Sequence, residues 1–309
     1  SRYDDGKYYW DGGILTFNFG KAGLTLLGGR NPITSISNPT PLNPGVVVGL
    51  AQNTLGAAVT FPVTDSFNLL AAYLIHDLTN FVGTPAGTAN RLSTYGAEVS
   101  GKVGPLDING SYYESDLTYN TSSRVTKDNA AYEVGLGYAT DRWGLNGSYR
   151  RVDTNYTAPG DWGSWGLALN PTGFKGYKFG GFFNLSDDLT LRAGYETAEG
   201  TSNAATALIR TVDDYVGYNV ALSYKLNDAM TFGLKYEDHV YKIAGSNDPV
   251  SRWYTADLKW NMSANAFMKF LYIYSDVDFK GTPFGVNNFF LGANKYKGGL
   301  IGTQLGLKF

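Results

Sequence analysis

The stretch Tyr177–Leu185, YKFGGFFNL, decides the fold because its side chains alternate in kind. Its odd-numbered positions carry Tyr, Phe, Gly, Phe and Leu, and its even-numbered positions carry Lys, Gly, Phe and Asn. Successive side chains of a β-strand point to opposite faces, so this segment predicts a strand with one apolar and one more polar face. After a polar turn at 186–189 the alternation resumes, with Leu191, Ala193 and Tyr195 on the apolar side.

The same period-two alternation recurs along the whole chain and predicts about 16 strands. Many of them run for about 10 to 13 residues, whereas strands of soluble proteins average about 5 to 6. A tilted strand needs about 9 to 11 residues to cross a bilayer. The predicted strands are 3–10, 13–20, 23–30, 54–64, 67–79, 93–104, 106–117, 130–140, 143–154, 173–186, 190–199, 212–226, 231–242, 251–263, 266–279 and 297–309.

The connections between these strands alternate in length. Short turns at 20–23, 65–67, 104–105, 140–143, 186–189, 227–230 and 263–265 alternate with long polar segments at 31–53, 80–92, 118–128, 156–172, 200–211, 243–250 and 280–296. This alternation is typical of outer-membrane barrels, which have tight periplasmic turns and longer extracellular loops. The predicted fold is therefore all-β, with residues 1–309 forming one transmembrane antiparallel up-and-down β-barrel of about 16 strands (14–18).

Two details of this interpretation can be tested by a structure. Asn109-Gly110 and Asn146-Gly147 are strong hairpin signals, yet both fall inside alternating runs, so we predict that they lie within strands. The competing interpretation, a soluble β-sandwich or propeller, is disfavoured by aromatic residues near the strand ends of the apolar face, which suit membrane interfaces. These predicted interfacial residues are Trp143, Tyr149, Tyr195, Tyr224, Trp260 and Tyr274.

Composition excludes several classes of protein. The chain has 25 basic and 27 acidic residues. It therefore lacks the excess of basic residues that would indicate a nucleic-acid partner. It contains no cysteine, which removes disulfides, thiolate metal sites and cysteine nucleophiles. No apolar run reaches the roughly 18 residues of a membrane-spanning helix. No cofactor or metal site is predicted.

The C-terminal segment Leu300–Phe309 places Leu305, Leu307 and Phe309 on one face and ends in an aromatic residue. This segment resembles the C-terminal insertion signal of outer-membrane proteins, which implies assembly by the barrel-assembly machinery. At family level the chain resembles a general porin of the bacterial outer membrane. It could also be the barrel part of a porin tethered to the cell wall by an S-layer-homology domain.

A barrel of about 16 to 18 strands leaves an aqueous channel. We therefore expect passive diffusion of small hydrophilic solutes and ions. The predicted pore-lining residues are Glu98, Lys102, Asp107, Glu133, Arg150, Lys178, Arg192, Glu196, Lys225, Lys235, Glu237, Asp257, Lys259, Lys269 and Lys308. Basic residues outnumber acidic ones in this set, which favours a weak anion preference. Alternatively, the charges pair across neighbouring strands and leave no net field.

Two segments are candidates for narrowing the channel or binding solutes. The segment 31–53 contains four prolines and the apolar run Val46–Leu50, and it is the predicted inward-folded constriction loop. Trp162 and Trp165 are candidates for a sugar-stacking surface or for anchoring a loop. The small apolar-face residues Ala57 and Ala71 suit a subunit interface, so a homotrimer is a further hypothesis.

Catalysis is not predicted. His76 precedes Asp77 in a strand, so the two side chains point to opposite faces. His239 is expected to share its face with Glu237 and Lys235. Two other functions remain open beside passive diffusion, namely a structural barrel that tethers the outer membrane to the wall and a solute-specific channel, for example for sugars.

Overall fold

Strands make up most of the described part of the protein. The computed structural model describes residues 11–31, 52–77, 89–119, 124–158, 164–166, 168–169, 172–201, 214–242, 247–280 and 295–307. The strands are β1 (Asp11–Phe19), β2 (Ala22–Asn31), β3 (Gln52–Thr64), β4 (Phe67–Asp77), β5 (Ala89–Val103), β6 (Leu106–Tyr119), β7 (Arg124–Val125), β8 (Ala130–Ala139), β9 (Trp143–Val152), β10 (Ser164–Trp165), β11 (Ala168–Leu169), β12 (Phe174–Asn184), β13 (Leu189–Gly200), β14 (Asp214–Lys225), β15 (Met230–Lys242), β16 (Val250–Ser263), β17 (Ala266–Asp278) and β18 (Lys295–Leu307). Within these ranges no helix is long and apolar enough to cross a membrane.

The long strands are hydrogen-bonded to one another in chain order. They form a 16-stranded sheet in which the short strand β7 pairs with β6, while β10 and β11 form a separate hairpin. The pairings from β1 to β6 and from β13 to β18 are all antiparallel. The chain divides into two compact units, Ser1–Leu136 with Tyr149–Lys175 and Gly200–Arg210, and Gly137–Ser148 with Gly176–Glu199 and Thr211–Phe309.

The predicted strands agree closely with the structure. Each predicted strand from 13–20 onward overlaps a strand of the structure, and the predicted first strand, 3–10, lies outside the described residues. Several strands begin earlier than predicted, among them β5 at Ala89 and β18 at Lys295. The first residues of these two strands were assigned to loops, because their charged side chains interrupt the alternation of apolar and polar residues. In the structure each charge lies directly opposite a countercharge, with Asp77 opposite Arg91 and Asp278 opposite Lys295.

Residues paired directly across antiparallel strands share a face of the sheet, so the register defines the two faces. In the second unit, one row of cross-strand partners contains Leu191, Leu222 and Leu234, and the adjacent row on the other face contains Arg192, Ala221 and Lys235. The first of these faces, here called the apolar face, exposes large side chains to the surroundings. Tyr195, Tyr224 and Trp260, predicted as interfacial residues, are 43%, 43% and 38% exposed. Exposed apolar surface of this extent marks a membrane or protein contact.

The other face, here called the polar face, relies on glycines for close packing. A Cβ at Gly180 would lie 2.6 Å from Asn146 Oδ1, and a Cβ at Gly194 would lie 2.5 Å from Asn219 Nδ2. Each asparagine therefore lies over a glycine of a neighbouring strand. This explains why Asn146-Gly147 stays within β9, as predicted, and Asn109-Gly110 likewise lies within β6.

The short turns are closed by side-chain oxygens. Thr64 Oγ1 accepts hydrogen bonds from the backbone of Ser66 and Phe67 between β3 and β4. Asn227 Oδ1 accepts from Ala229 and Met230 in the same way between β14 and β15. These local bonds fix the register of each hairpin and hence the face on which every side chain of its strands lies.

Candidate functional site: the polar face

The second unit carries a buried acidic cluster near the long-connection ends of its strands. His239 Nδ1 lies 2.7 Å from Tyr215 Oη, and Tyr215 Oη also donates to Glu196 Oε1. Glu237 Oε1 lies 3.9 Å from His239 Nε2. His239 and Tyr215 are only 4% and 3% exposed, so this network is held away from solvent. Buried polar groups of this kind are stable only when hydrogen-bonded, which fixes their positions.

Two lysines predicted for the pore contact this cluster. Lys178 Nζ lies 3.5 Å from Glu196 Oε2, and Lys235 Nζ lies 3.1 Å from Glu237 Oε1. The shared face of Lys235, Glu237 and His239 was predicted from sequence and is confirmed. The role of Tyr215 was missed, because the sequence analysis sought polar-face residues among charged side chains. Its odd-numbered position in β14, opposite in parity to Val216 and Tyr218, was the available signal.

A row of lysines lies nearer the short-turn ends of the same strands. Lys225 is opposite Thr231, Thr231 is opposite Lys259, and Lys259 is opposite Lys269, so the three lysines share one row. Lys269 Nζ lies 3.3 Å from Asp257 Oδ2, and Lys225 Nζ lies 2.7 Å from Asp228 Oδ1 in the adjoining turn. On the polar face of these strands, the glutamates therefore lie toward the long connections and the row of lysines toward the short turns.

Two predicted basic residues lie over aromatic rings. The guanidinium carbon of Arg192 is 5.4 Å from the centre of the Phe182 ring, and Lys259 Nζ is 5.1 Å from that of Phe267. A cation at this distance from a ring face is held electrostatically while keeping its charge. Among the ion pairs between described residues, neither Arg192 nor Lys259 has a carboxylate partner.

The predicted charges of the first unit are also paired. Lys102 Nζ lies 3.2 Å from Asp107 Oδ1, and Arg150 Nε lies 3.9 Å from Glu133 Oε2. Glu98 accepts a hydrogen bond of 2.5 Å from Tyr113 Oη. Lys308 lies outside the described residues. The cross-strand pairing offered as the second interpretation of these charges thus accounts for most of them.

The remaining candidates are placed as follows. His76 is buried and lies 2.5 Å from Thr54 Oγ1, and its cross-strand partners are on the face opposite to that of Asp77. Trp165 is 1% exposed and packs edge-on against Phe174 at 5.4 Å. It therefore anchors a loop rather than presenting a sugar-stacking surface, and Trp162 lies outside the described residues.

The insertion signal is described in part. Leu305 is 58% exposed and lies opposite Met268 on the apolar face, and Leu307 lies opposite Ala266 in the last pair of the ladder. Phe309 lies outside the described residues. Within the described ranges, no group of three or more histidine, aspartate or glutamate side chains is arranged to hold a metal ion.

Comparison with protein families identifies the class of protein. The model of the Gram-negative porin family matches residues 3–201, which is more than half of the chain. The protein therefore belongs to the Gram-negative porins. It is an integral β-barrel of the outer membrane and a channel through which small solutes diffuse passively.

Solved structures share the fold at very low sequence identity. OprD of Pseudomonas aeruginosa matches with a TM-score of 0.53 at 11% identity, over 95% of this chain and 79% of that one. OccK5 (OpdH) of the same organism matches with a TM-score of 0.53 at 13% identity, over 96% and 81%. OccAB4 of Acinetobacter baumannii matches with a TM-score of 0.53 at 13% identity, over 95% and 74%. No curated protein sequence matches the chain.

Proposed function

We propose that the polar face lines the water-filled lumen of this porin. The observation that carries the proposal is the placement of the predicted charged residues, which share the face opposite to the exposed leucines and tyrosines. A lysine or arginine facing mid-bilayer lipid costs about 2 to 4 kcal/mol. On a hydrated lumen wall the same charges keep their water and shape the field along the pore.

We infer a weak anion preference that originates chiefly from Arg192 and Lys259. Of the charged residues predicted for this face, eight described ones are basic and six are acidic. Most of these charges belong to ion pairs, in which the fields of the two opposite charges largely cancel. Arg192 and Lys259 lie over aromatic rings instead, so they contribute the excess positive charge.

The test is the reversal potential of single channels in a potassium chloride gradient. The native protein should show a reversal potential toward the chloride equilibrium value. Arg192→Gln with Lys259→Gln should move it toward zero, because the net charge of the face falls by two. Lys21→Gln is the control, since Lys21 lies at a short turn paired with Asp65 at 2.9 Å. A native preference for cations would contradict the inference.

We further propose that 31–53 folds inward and narrows the channel. The two ends of this segment belong to strands: Asn31 ends β2, and Gln52 and Asn53 begin β3. The polar face beside these strand ends has an apolar patch, where Leu27 and Leu74 meet over Gly56. This patch offers a contact for the apolar run Val46–Leu50. A disulfide between Val48→Cys and Leu74→Cys should form under mild oxidation and leave the conductance close to that of the native protein, because the segment already lies against this patch. Failure of the two thiols to cross-link, or a large drop in conductance when they do, would contradict the contact.

We propose that the apolar face of β3 to β6 mediates homotrimer formation. Ala57, Ala71 and Ala97 leave this region shallow, and a groove of about 990 Å³ lies beside them. Glu114 lies on the same face and accepts hydrogen bonds from Tyr95 at 2.8 Å and Tyr112 at 2.5 Å. A carboxylate is poorly suited to acyl chains and better suited to a protein interface.

Mass measurement of the native protein in mild detergent tests this assembly. The native chain should run as a trimer, and Ala71→Trp should shift it toward the monomer by filling the shallow surface. Val220→Trp, a large residue on the apolar face of β14, is the matched control and should leave the trimer intact. A monomeric native protein would refute the proposal without affecting the proposed lumen.

We also propose that the barrel-assembly machinery recognises Leu305, Leu307 and Phe309 during insertion, and that the protein acts as a channel without catalytic activity. Deletion of Phe309 should slow insertion in cells. A hydrolytic activity lost on His239→Gln would contradict the second part.

A further inference from the structure

A row of alternating charges crosses β15 to β18 on the apolar face, at the end of the strands that leads into long connections. Asp238 lies directly opposite Arg252, and Asp276 lies directly opposite Lys297. Arg252 is also opposite Asp276, so the four residues form one continuous row, here called the rim row. One row further along, Asp278 lies opposite Lys295.

The three aspartates of this region are each paired with a basic side chain. Arg252 Nε lies 3.4 Å from Asp238 Oδ2, and Lys297 Nζ lies 2.9 Å from Asp276 Oδ2. Asp278 Oδ2 lies 3.0 Å from Lys295 Nζ and 3.2 Å from Lys280 Nζ. These carboxylates hold the basic groups in place along the end of the strands.

The two signs of charge differ in exposure, and this difference decides what the surface presents. The side chains of Asp238, Asp276 and Asp278 are only 13%, 25% and 18% exposed. Those of the basic partners are far more exposed: Lys295 63%, Lys297 57%, Arg252 46% and Lys280 42%. The outer surface of the rim row is therefore cationic, with its carboxylates beneath.

A row of tyrosines beside the rim row indicates the depth at which the rim row lies in the membrane. Tyr236, Tyr254 and Tyr274 form the adjacent row, with ring centres 5.1 Å and 6.1 Å apart, and Tyr236 Oη donates to Asp238 Oδ2 at 3.1 Å. Tyrosine rows of this kind lie at the level of membrane headgroups. The rim row is two residues further along, about 7 Å along the strand.

We propose that the rim row, with Lys280 and Lys295 beside it, binds the phosphate groups of a phosphorylated glycolipid headgroup. The inference goes beyond solute passage and rests on the apolar face contacting lipid. Ammonium and guanidinium groups form short, charge-assisted hydrogen bonds with phosphate oxygens. Lys295 and Lys297 are two residues apart on one face, about 7 Å, and Arg252 is two strands away, about 10 Å. That spacing suits one headgroup with two phosphates.

Native mass spectrometry of the full chain in mild detergent tests the proposal. Three probes are compared: lipid A with two phosphates, the same lipid without phosphates, and phosphatidylcholine. The phosphorylated lipid should bind at least tenfold more tightly than either of the others. Lys295→Gln with Lys297→Gln should reduce that binding about tenfold, and adding Arg252→Gln should reduce it further.

Lys21→Gln is the matched control, because Lys21 is 77% exposed and forms an ion pair of 2.9 Å at a short turn. It should leave lipid binding unchanged. If the triple variant fails to fold on a heat-modifiability gel, the double variant decides, since its lysines are largely exposed. Equal binding of phosphorylated and phosphate-free lipid would overturn the proposal, as would equal loss in Lys21→Gln. Full competition by millimolar inorganic phosphate would assign the site to free phosphate and also overturn it.

Discussion

Substituting neighbouring residues of β14 by arginine separates the two faces of the sheet energetically. Leu222 lies on the apolar face between Leu191 and Leu234, and Ser223 lies on the polar face between Thr190 and Gly233. Tyr218 and Tyr224 bracket the apolar stretch of this strand. They are six residues apart, about 20 Å along the strand, and Leu222 lies about 3 Å from the midpoint.

Leu222→Arg should therefore destabilise the folded protein by about 2 to 4 kcal/mol, because an arginine near the bilayer midplane is poorly solvated. A cost of about 3 kcal/mol corresponds to roughly a hundredfold change in the folding equilibrium constant. Ser223→Arg should cost less than about 0.5 kcal/mol, since its guanidinium stays hydrated on the polar face. The protein contains 6 tryptophans, so folding into phosphatidylcholine vesicles can be followed by fluorescence during urea titration. Equal costs for the two variants, or a larger cost for Ser223→Arg, would refute the assignment of the faces.

Three further predictions follow from particular contacts. Gly217→Ala should destabilise the protein by about 1 to 3 kcal/mol through overpacking, because the new Cβ would lie 2.9 Å from His239 Nδ1. Gly302→Ala is the control and should be neutral, because nothing lies within 4 Å of its Cβ. Chemical denaturation measures the free energy of unfolding of both variants. Burial raises the pKa of Tyr156 to about 12 from 10.0, so its stabilising contribution should be complete below pH 10 and lost toward pH 12. Chemical denaturation at about pH 9 to 12 should show this loss in the native protein, and the part due to Tyr156 should disappear in Tyr156→Phe. Lys269→Gln leaves Asp257 without its 3.3 Å partner and should shift the reversal potential toward cations; no shift would place Lys269 outside the conducting path.

The strand pattern was predictable from sequence because its physical cause is local. Each residue's face follows from its position in an alternating run, and the register places the β13 to β17 charges that were predicted for the pore on one face of the sheet. That this face lines the pore stays a prediction. Strand ends were harder, since Arg91 and Lys295 resemble loop residues until their partners Asp77 and Asp278 are known. Cross-strand partners depend on register, which the sequence of one strand does not specify.

The electrostatics of the polar face were less predictable than its composition. Counting charges suggested an excess of basic residues, but only the pairing distances separate Lys178 and Lys235, which contact glutamates, from Arg192 and Lys259, which lie over rings. Tyr215 was not singled out from the sequence. Its hydroxyl proved to join Glu196 and His239, a contact that requires three strands to be in register.

Single-channel conductance of cysteine variants tests the central claim, that the polar face lines an open pore. The chain has no native cysteine, so Thr255→Cys on the polar face and Ala256→Cys on the apolar face each introduce a unique thiol on β16. Both refolded variants should give stable stepwise openings in a planar bilayer. A bulky, charged thiol reagent should then lower the conductance of Thr255→Cys and leave that of Ala256→Cys unchanged. Block of Ala256→Cys alone, or no openings from protein that is folded by circular dichroism, would contradict the account.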